Sequence, residues 1–421
     1  MTIDEGDVTM VSETRWPTYD ELPSIKNMPD CTVDRYGRKI ASVEQWEEQR
    51  AYLKEMFAHY MYGHAPKERG KITANITEKG LLFEGQAVEE WLTLSFGVAG
   101  TVSMQVRFLY PNTPGKRFPL IIRSADNLKE PIPLEEKAVT EYGFALAAFN
   151  RNNLCGDRTL LEMVVKLRDG TLETNPTTFA AVQRMDKITP AKIDFDNIHP
   201  LAAAYPGYDW GEVAQWGFGY LICMDYFEML PQVDTKKICY TGHSRLGKAA
   251  LWAGLYDERA AVVTPNGSGC GGVGSLRFIG TREGLCQDPE KCEAVGGIMN
   301  FAPEWWCPEF GNFGDNSVYP ERERRLPFDA NTLRAAIAPR ACFTTEGLGD
   351  YWSNPCGTQY AWEDAQPLFD LLGIPEKNGI HFREGGHAHN EEDWQALLTY
   401  CNFLWFGKPL TGDINKKYFK R

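Results

Sequence analysis

No run of apolar residues in this sequence is long enough to cross a bilayer, which argues against a membrane-spanning protein. Basic residues are also scarce: 44 lysines and arginines against 57 aspartates and glutamates give a formal charge of −13. Because nucleic acids and anionic membranes are bound by clustered basic side chains, neither is an expected partner. Residues 1–6 lack the basic and apolar regions of a secretory signal, so we expect either a cytoplasmic protein or a mature chain.

Metal-binding motifs are absent as well. The eleven cysteines are scattered singly with no C-x-x-C pair, and no H-E-x-x-H pattern accompanies the seven histidines. The sequence therefore predicts no structural zinc site and no other metal or cofactor. The odd number of cysteines leaves at least one thiol unpaired in any disulfide scheme, and Cys286 and Cys292, which flank a polar loop, are a candidate pair.

Length and composition favour one large domain. The 421 residues are 43% apolar, enough for a substantial core, and no repeat or low-complexity tract divides them. We predict a single catalytic domain over residues 1–421, with an extended N-terminal segment at 1–40. Two long insertions, at about 154–208 and 269–327, follow predicted strands and are expected to shape a substrate pocket.

The hydrophobic pattern changes along the chain. A capping-box spacing at Ser42 precedes apolar residues at helical intervals up to Gly63, and residues 72–110 contain strand-like alternation. Helical patterns at 210–230 and 333–338 then separate several short apolar runs, which predict buried parallel strands at 119–122, 144–149, 238–240, 260–264, 341–345 and 380–382. This order predicts an α/β fold, a three-layer sandwich whose central sheet is mostly parallel with antiparallel N-terminal strands.

The motif G-H-S-R-L-G-K at residues 242–248 is the most informative feature of the sequence. It follows a predicted strand and opens a helical stretch that reaches Leu255, which is how α/β-hydrolases mount a nucleophilic serine on a sharp, strained turn. The motif therefore predicts an α/β-hydrolase fold, with Ser244 as the nucleophile of an esterase. The second glycine, Gly247, comes one residue later than in the usual G-x-S-x-G pattern, with Leu246 in its place.

A serine nucleophile needs a histidine base and a carboxylate that orients it. His387 is the predicted base, because it follows the last strand-like run in a glycine-containing loop, and His389 is the local alternative. Asp350 is the predicted acid, because it ends a glycine-rich turn directly after the strand at 341–345. Glu346 in the same turn is the alternative acid.

Two basic residues follow the predicted nucleophile. The backbone N–H of Arg245 is expected to face the oxyanion that develops during acyl transfer, and its guanidinium is a further candidate donor. Lys248 lies four residues after Ser244, on the same helix face one turn later, where it can hold the substrate beside the reacting carbonyl. The alternative for both is a solvent-exposed charge on a helix.

Together these motifs resemble the glucuronoyl esterases, carbohydrate esterase family 15, over nearly the whole chain. The family's G-x-S-R-x-G-K motif is unbroken at 242–248, and its S-G-C-G-G segment is present at 268–272. The match continues with E-A-V at 293–295, F-A-P-E-W-W-C at 301–307, L-P-F-D at 326–329, A-P-R at 338–340, and G-G-H at 385–387 with E-D-W at 392–394.

The resemblance implies a serine esterase that hydrolyses 4-O-methyl-D-glucuronoyl esters, as in xylan side chains linked to lignin alcohols, through an acyl-enzyme. It implies that Ser244 is the nucleophile, His387 the base and Arg245 an oxyanion stabiliser. Residues expected to hold or enclose the sugar are Lys248, Glu293, Trp305 and Trp352. Many family members carry the triad glutamate where this chain has Gly267, whereas others place an acid after the later strand, where Asp350 stands.

Other functions are compatible with parts of the sequence. An acetylxylan esterase or a general carboxylesterase would use the same catalytic residues, and a carbohydrate-binding pseudoenzyme would explain the glycine at 267. A metal-dependent hydrolase would need a ligand set from His387, His389, Glu391, Glu392 and Asp393, whose spacing matches no known ligand motif. The expected partner is a glucuronoxylan or lignin–carbohydrate ester. We expect a monomer at an extracellular or periplasmic location, inferred from the substrate class, with a cytoplasmic location as the alternative.

Overall fold

The computed structural model describes residues 15–173, 176–281, 284–285, 292–314 and 321–421. Within these residues the strands are β1 (Thr73–Leu82), β2 (Ala87–Phe96), β3 (Val102–Pro111), β4 (Phe118–Ala125), β5 (Ala145–Asn150), β6 (Val233–His243), β7 (Val262–Asn266), β8 (Gly280–Thr281), β9 (Gly284–Leu285), β10 (Ala341–Gly347) and β11 (Asn378–Arg383). The helices are α1 (Val43–Phe57), α2 (Glu135–Thr140), α3 (Arg158–Arg168), α4 (Pro176–Ile188), α5 (Pro200–Ala204), α6 (Glu212–Phe227), α7 (Arg245–Tyr256), α8 (Val295–Phe301), α9 (Ala330–Ala335), α10 (Pro355–Leu371) and α11 (Glu391–Phe406).

Nine of the strands form one sheet in the order β1-β2-β3-β5-β4-β6-β7-β10-β11. The pairs from β1 to β5 along this order are antiparallel, and every pair from β5 to β11 is parallel. Parallel neighbours require crossover connections, and helices such as α6, α7 and α10 supply them. The predicted mostly parallel sheet with antiparallel N-terminal strands is therefore confirmed.

Alternate residues of the central strands enter two separate cores, one on each face of the sheet. Ile238 and Tyr240 of β6 pack in the core that contains α6 and α7, whereas Cys239 between them packs in the core that contains α11. Side chains of a strand point to opposite faces in turn, so an unbroken apolar run fits a strand covered on both sides. The result is the predicted three-layer arrangement of helix, sheet and helix.

Helix α1 begins where the sequence predicted it. The Ser42 hydroxyl accepts a hydrogen bond from the Gln45 backbone N–H at 3.3 Å, and the Gln45 side chain in turn accepts one from the Ala41 N–H at 2.8 Å. The α-helix ends at Phe57, and one π-helical turn over Ala58–Tyr62 continues it to Gly63. At Gly63 φ is 78°, a left-handed value that glycine adopts without strain, so the chain leaves the helix there.

The helix predicted at 333–338 is displaced toward the N-terminus and is observed as α9. Asp329 causes this shift, because its carboxylate accepts a hydrogen bond from the Ala330 N–H at 2.6 Å and so begins the helix three residues earlier than the apolar pattern indicated. The helix ends well before Pro339, whose ring disfavours a helical conformation at the residue that precedes it.

The carboxyl ends of the parallel strands lie at one edge of the sheet, and the candidate site residues are gathered there. Ser244 follows β6, Asp350 lies three residues beyond β10, and His387 lies four residues beyond β11. The long insertions leave from the same edge, the first after β5 and the second after β7. Cys286, one half of the candidate disulfide, lies outside the described residues, and within the described ranges no helix has the length and hydropathy to span a membrane.

Candidate active site

Ser244 occupies a strained turn between β6 and α7. Its φ of 57° and ψ of −129° are values that a non-glycine residue rarely adopts. The turn is held by the Ser244 N–H, which donates to the Asn266 carbonyl at 2.9 Å, and by the Gly247 N–H, which donates to the Ser244 carbonyl at 2.8 Å. A strained backbone held in place by surrounding hydrogen bonds is typical of a nucleophilic serine at the end of a strand.

The two glycines of the motif are required by close packing. A Cβ atom at Gly242 would overlap the Leu246 carbonyl oxygen, and one at Gly247 would lie 3.0 Å from both the Gly242 oxygen and the Ser268 Cβ. Leu246 is buried against the core instead of lining the turn. The second glycine of the motif is therefore needed at position 247 and not at 246, because the backbone packs closely against residue 247.

His387 and Asp350 form a hydrogen-bonded pair at the end of the sheet. The His387 Nδ1 lies 2.6 Å from the Asp350 Oδ2. Burial raises the pKa of the Asp350 carboxyl group, but the hydrogen bond and the charge interaction with His387 outweigh it and hold this pKa below its usual value. Asp350 is therefore ionised and accepts the Nδ1–H, which leaves Nε2 as the proton-accepting nitrogen of His387.

The imidazole of His387 lies beside the serine turn. Its ring centroid is 4.5 Å from that of His243, the residue directly before Ser244. Within the described residues, no hydrogen bond joins the Ser244 hydroxyl to His387. Serine–histidine hydrogen bonds are often long before substrate binds. Proton transfer therefore requires the Ser244 hydroxyl and the His387 imidazole to come closer together when substrate binds.

Ser353 completes the support of His387, and the sequence reasoning missed it. Its hydroxyl donates to the Gly267 carbonyl oxygen at 3.0 Å, so the lone pairs of this hydroxyl face the His387 Nδ1–H at 3.1 Å. The Ser353 N–H also donates to the Asp350 Oδ1 at 3.3 Å. The D-x-x-S spacing is the local signal that was available, because an aspartate accepts from the N–H three residues later at the start of a helical turn.

Glu346 does not contact His387. Its fully buried carboxyl group accepts a hydrogen bond from the Thr358 hydroxyl at 3.4 Å. Burial, with the charges of Asp350 and Asp393, raises the pKa of Glu346 well above its usual value, which favours its neutral form. Of the two carboxyl groups that the sequence offered, Asp350 is the one placed to orient the imidazole.

The two other histidines of this region are neutral. Burial, reinforced by the neighbouring His387, lowers the pKa of His243 to about 3, and the His243 Nδ1 bonds to the Asn266 Oδ1 at 2.6 Å. His389, the alternative base, stacks on Trp394 with ring centroids 5.3 Å apart, and burial lowers its pKa well below the usual value. Among the residues that the structure describes, no carboxylate is paired with either imidazole, in contrast to His387.

Arg383 holds the loop that carries His387. One of its terminal nitrogens donates to the backbone carbonyls of Gly386 at 3.1 Å and Ala388 at 2.6 Å, which are the residues on either side of His387. Its Nε donates to the Asp393 carboxylate at 2.7 Å, and both side chains are almost completely buried. The fork of an arginine can bind these groups at once, which a lysine ammonium cannot.

Replacing Arg383 with lysine is expected to lower kcat by about 10–100-fold with little change in KM, because the imidazole loses its fixed position while the substrate pocket is retained. Steady-state kinetics on the folded fraction measures this. Arg334→Lys is the matched control, because Arg334 is also buried but bonds to Asn378 and Thr344 away from the loop. Equal losses of kcat in the two variants would show that Arg383 contributes to the general stability of the protein and not to the position of His387.

Two aspartates hold the Arg245 guanidinium. The Arg245 Nε lies 2.9 Å from the Asp157 carboxylate, and its Nη2 lies 3.4 Å from Asp126, which also binds Arg151 at 2.6 Å. Burial raises the pKa of Asp126, but the charges of Arg151 and Arg245 outweigh it and lower this pKa to about 2. Arg245 is also the first residue of α7, so its backbone N–H has no partner in a preceding turn and is available to an oxyanion.

Lys248 and Glu293 form a buried ion pair beside the serine. The Lys248 Nζ lies 2.8 Å from the Glu293 carboxylate and donates to the Ser268 carbonyl at 2.6 Å. The Cys270 N–H donates to the same carboxylate oxygen at 2.9 Å. A Cβ at Gly269 would overlap this oxygen, so the S-G-C-G-G segment provides the room that the Glu293 carboxylate needs.

Two tryptophans lie next to these charged groups. Trp305 is buried with its indole N–H unpaired, and the Arg245 guanidinium lies 6.0 Å from the centre of its ring. Trp352 is 38% exposed, and its carbonyl accepts a hydrogen bond from the Glu293 N–H at 2.8 Å. The candidate site thus combines two tryptophans and a neutralised ion pair with the turn that carries Ser244.

Gly267 lies directly against the His387–Asp350 pair. A Cβ at this position would lie 3.4 Å from the Asp350 Oδ2 and 3.6 Å from the His387 Nδ1. A side chain at 267 would therefore enter the space that the Asp350 carboxylate now shares with the imidazole. A carboxylate at position 267 or at position 350 could therefore hydrogen-bond to the same histidine.

Comparison with known proteins gives consistent matches over this chain. The family model described as glucuronyl esterase of fungi matches residues 202–373. A carbohydrate esterase of an unknown prokaryotic organism is 28% identical over 94% of each chain, and a 4-O-methyl-glucuronoyl methylesterase of Phanerochaete carnosa is 26% identical over 93% of this chain and 83% of its own. The solved family 15 glucuronoyl esterase of Caldicellulosiruptor kristjansonii superposes with a TM-score of 0.73 at 27% identity, covering 95% of this chain and 96% of its own.

Proposed function

We propose that this chain, which is similar over nearly its whole length to glucuronoyl esterases, is a member of carbohydrate esterase family 15 that hydrolyses esters of 4-O-methyl-D-glucuronic acid joining glucuronoxylan to lignin alcohols. The contact between His387 and Asp350 beside the strained Ser244 is the observation that carries this proposal. A serine on such a turn, with an oriented imidazole next to it, suits acyl transfer. The ester carbonyl of the uronate is the matching electrophile.

The residues supply each proton transfer that the reaction needs. The Ser244 oxygen attacks the ester carbonyl while His387 Nε2 takes the hydroxyl proton, and the Arg245 backbone N–H donates to the resulting oxyanion. Collapse of the tetrahedral intermediate breaks the bond to the alcohol, which leaves with the proton from His387. Water then attacks the acyl-enzyme with His387 again as base, and the free uronic acid is released with Ser244 restored.

The charges of the pocket suit a neutral sugar ester. Glu293 already balances the Lys248 charge, so the pair presents hydrogen-bonding groups to hydroxyls without a net attraction for a free carboxylate. The unpaired indole N–H of Trp305 supplies one more donor. A glucuronoyl ester has hydroxyls to meet these groups, whereas an acetyl group has none. This difference favours a uronate esterase over an acetylxylan or general carboxylesterase.

Kinetics on a small set of esters tests the proposed substrate class. We expect kcat/KM for benzyl D-glucuronate to exceed that for 4-nitrophenyl acetate by at least about 100-fold, because polar groups left unpaired by acetate disfavour its binding. Trp305→Phe keeps an aromatic ring but removes the indole donor, and it should lower kcat/KM for the glucuronate ester by about 10-fold without changing that for acetate. Efficient acetate cleavage with glucuronate esters untouched would assign the protein to the general carboxylesterases. Binding of glucuronoxylan without hydrolysis would assign it to the pseudoenzymes.

The location of the protein follows from the substrate in this proposal, and its assembly is proposed separately. Glucuronoxylan is a polymer of the plant cell wall, so the enzyme would act outside the cytoplasm, in the extracellular space or the periplasm. We propose that it works as a monomer, with its pocket open at the strand ends. Size-exclusion chromatography with light scattering measures the assembly directly.

A further inference from the structure

The two ends of the first insertion, near residues 154–157 and 198–201, lie side by side and are called its neck. Three side chains of types that bind metals lie together at this neck. Cys155 lies just beyond β5, His199 precedes α5, and Glu212 begins α6. The two chain segments of the neck are joined by backbone hydrogen bonds, from the Gly156 N–H to the Ile198 carbonyl and from the Leu201 N–H to the Leu154 carbonyl. The chain thus leaves and re-enters the domain beside the same buried helix.

The donor atoms of these three residues already lie close to one another. One sulfur, one imidazole nitrogen and one carboxylate oxygen are all within 4.8 Å of each other, and the His199 Nε2 is 2.8 Å from the Glu212 Oε1. The Cys155 thiol donates to the carbonyl of its neighbour Gly156 at 3.3 Å. Small side-chain rotations would place the three atoms at the 2.0–2.3 Å that zinc requires.

One atom of this cluster lacks the partner that its burial demands. Glu212 is only 1% exposed, and its Oε2 makes no hydrogen bond with any residue that the structure describes. A buried carboxylate oxygen without a partner is costly, and natural proteins usually satisfy it with a water molecule or an ion. The His199 side chain is 29% exposed, so the cluster has a route to solvent along which an ion can enter.

The charges around the cluster allow a divalent cation. Two basic groups in this part of the fold, Arg151 and Arg245, are paired with Asp126 and Asp157, so their charges are balanced. A Cys155 thiolate and the Glu212 carboxylate would supply two negative charges for a 2+ ion, with His199 as the neutral ligand. Binding would release the Cys155 thiol proton to solvent.

We propose that Cys155, His199 and Glu212 bind a zinc ion that ties the neck of the insertion to α6. Sulfur, nitrogen and oxygen ligands together favour zinc over magnesium or calcium, which take oxygen ligands almost exclusively. Asp157, two residues after Cys155, holds the Arg245 guanidinium, so the ion would also fix one wall of the active site. The sequence patterns predicted no metal because the three ligands come from separate segments and form no spaced motif.

Metal analysis of the full-length protein tests this site. The chain is stripped with a chelator, loaded with zinc and freed of excess by gel filtration, and we expect about one zinc ion per chain. Cys155→Ser and His199→Gln should each abolish this retention, whereas the control variants Cys223→Ser, in α6, and His64→Ala, at the exposed end of another loop, should keep it. Zinc at about 100-fold over its Kd should raise the Tm of the stripped protein by about 3–5 °C.

Cobalt substitution gives a readout that does not depend on the folding of any variant. Bound to the stripped wild-type chain, Co²⁺ should show a near-ultraviolet thiolate-to-cobalt charge-transfer band together with the intense visible bands of a tetrahedral site. A wild-type chain that retains no zinc, a cobalt spectrum without the thiolate band, or zinc retention at the wild-type level by both Cys155→Ser and His199→Gln would overturn the proposal. None of these readouts uses esterase activity, so the test of the zinc site is independent of the test of the proposed function.

Discussion

Replacing Ser244 with alanine is expected to lower kcat for glucuronate esters by about 10⁴–10⁶-fold, because the variant has no hydroxyl to form the acyl-enzyme. The fold should survive this change. The hydrogen bonds that hold the turn come from the backbone of residues 244 and 247, and alanine keeps the same Cβ in the same backbone conformation. The Tm should therefore change by less than about 3 °C.

The measurement is a comparison of wild type and Ser244→Ala, purified in parallel, by steady-state kinetics and thermal unfolding. Retention of kcat within about 10-fold would remove Ser244 from the mechanism, since loss of a covalent nucleophile is never so mild. A large loss of kcat with a large fall in Tm would instead show that the serine is needed for the fold. The two quantities together separate chemistry from structure.

Replacing Asp350 with asparagine is expected to lower kcat by about 10³–10⁴-fold with KM nearly unchanged. The amide has the shape of the carboxylate but not its charge, so it neither stabilises the imidazolium form of His387 nor fixes the tautomer in which Nε2 is the acceptor. The 2.6 Å distance between Asp350 and the imidazole Nδ1 makes this the most direct contact of His387. Kinetics under single-turnover conditions measures the effect on acylation itself.

Glu346→Gln is the matched control for Asp350→Asn. Glutamine is nearly isosteric with the neutral form of Glu346, which burial favours, and the Glu346 side chain is hydrogen-bonded to Thr358 and separate from His387. We expect this variant to keep kcat within about 5-fold of wild type, because no charge near the reacting atoms changes. A larger loss in Glu346→Gln than in Asp350→Asn would exchange the two assignments, and equal activity of Asp350→Asn and wild type would leave the histidine without this acid.

The strand and helix pattern was predictable because the sheet is buried on both faces. Runs such as Ile238-Cys239-Tyr240 supply side chains to both cores, so they are apolar at every position and stand out from the polar loops around them. Helix α9 was misplaced by three residues because its start depends on the Asp329 carboxylate, which the apolar pattern does not register. Local hydrogen bonding therefore determined a boundary that periodicity could not.

The candidate site divides in the same way. Ser244, Asp350 and His387 were predictable because each follows a strand, and the strand ends of a parallel sheet converge at one edge. Ser353 and His243 were missed, because their contacts with His387 depend on how loops from different strands pack. The Cys155 cluster was missed because its residues become neighbours only when the insertion folds back on α6.

Ser244 is the proposed nucleophile, and His387 and Asp350 are the residues proposed to activate it. Labelling with a fluorophosphonate, followed by peptide mapping with mass spectrometry, tests this claim most directly, because the reagent bonds only to an activated serine oxygen. We expect a single adduct on Ser244, formed at least about 10³-fold more slowly in His387→Gln and Asp350→Asn. An adduct on another serine, or labelling of Ser244 at the wild-type rate in both variants, would contradict it.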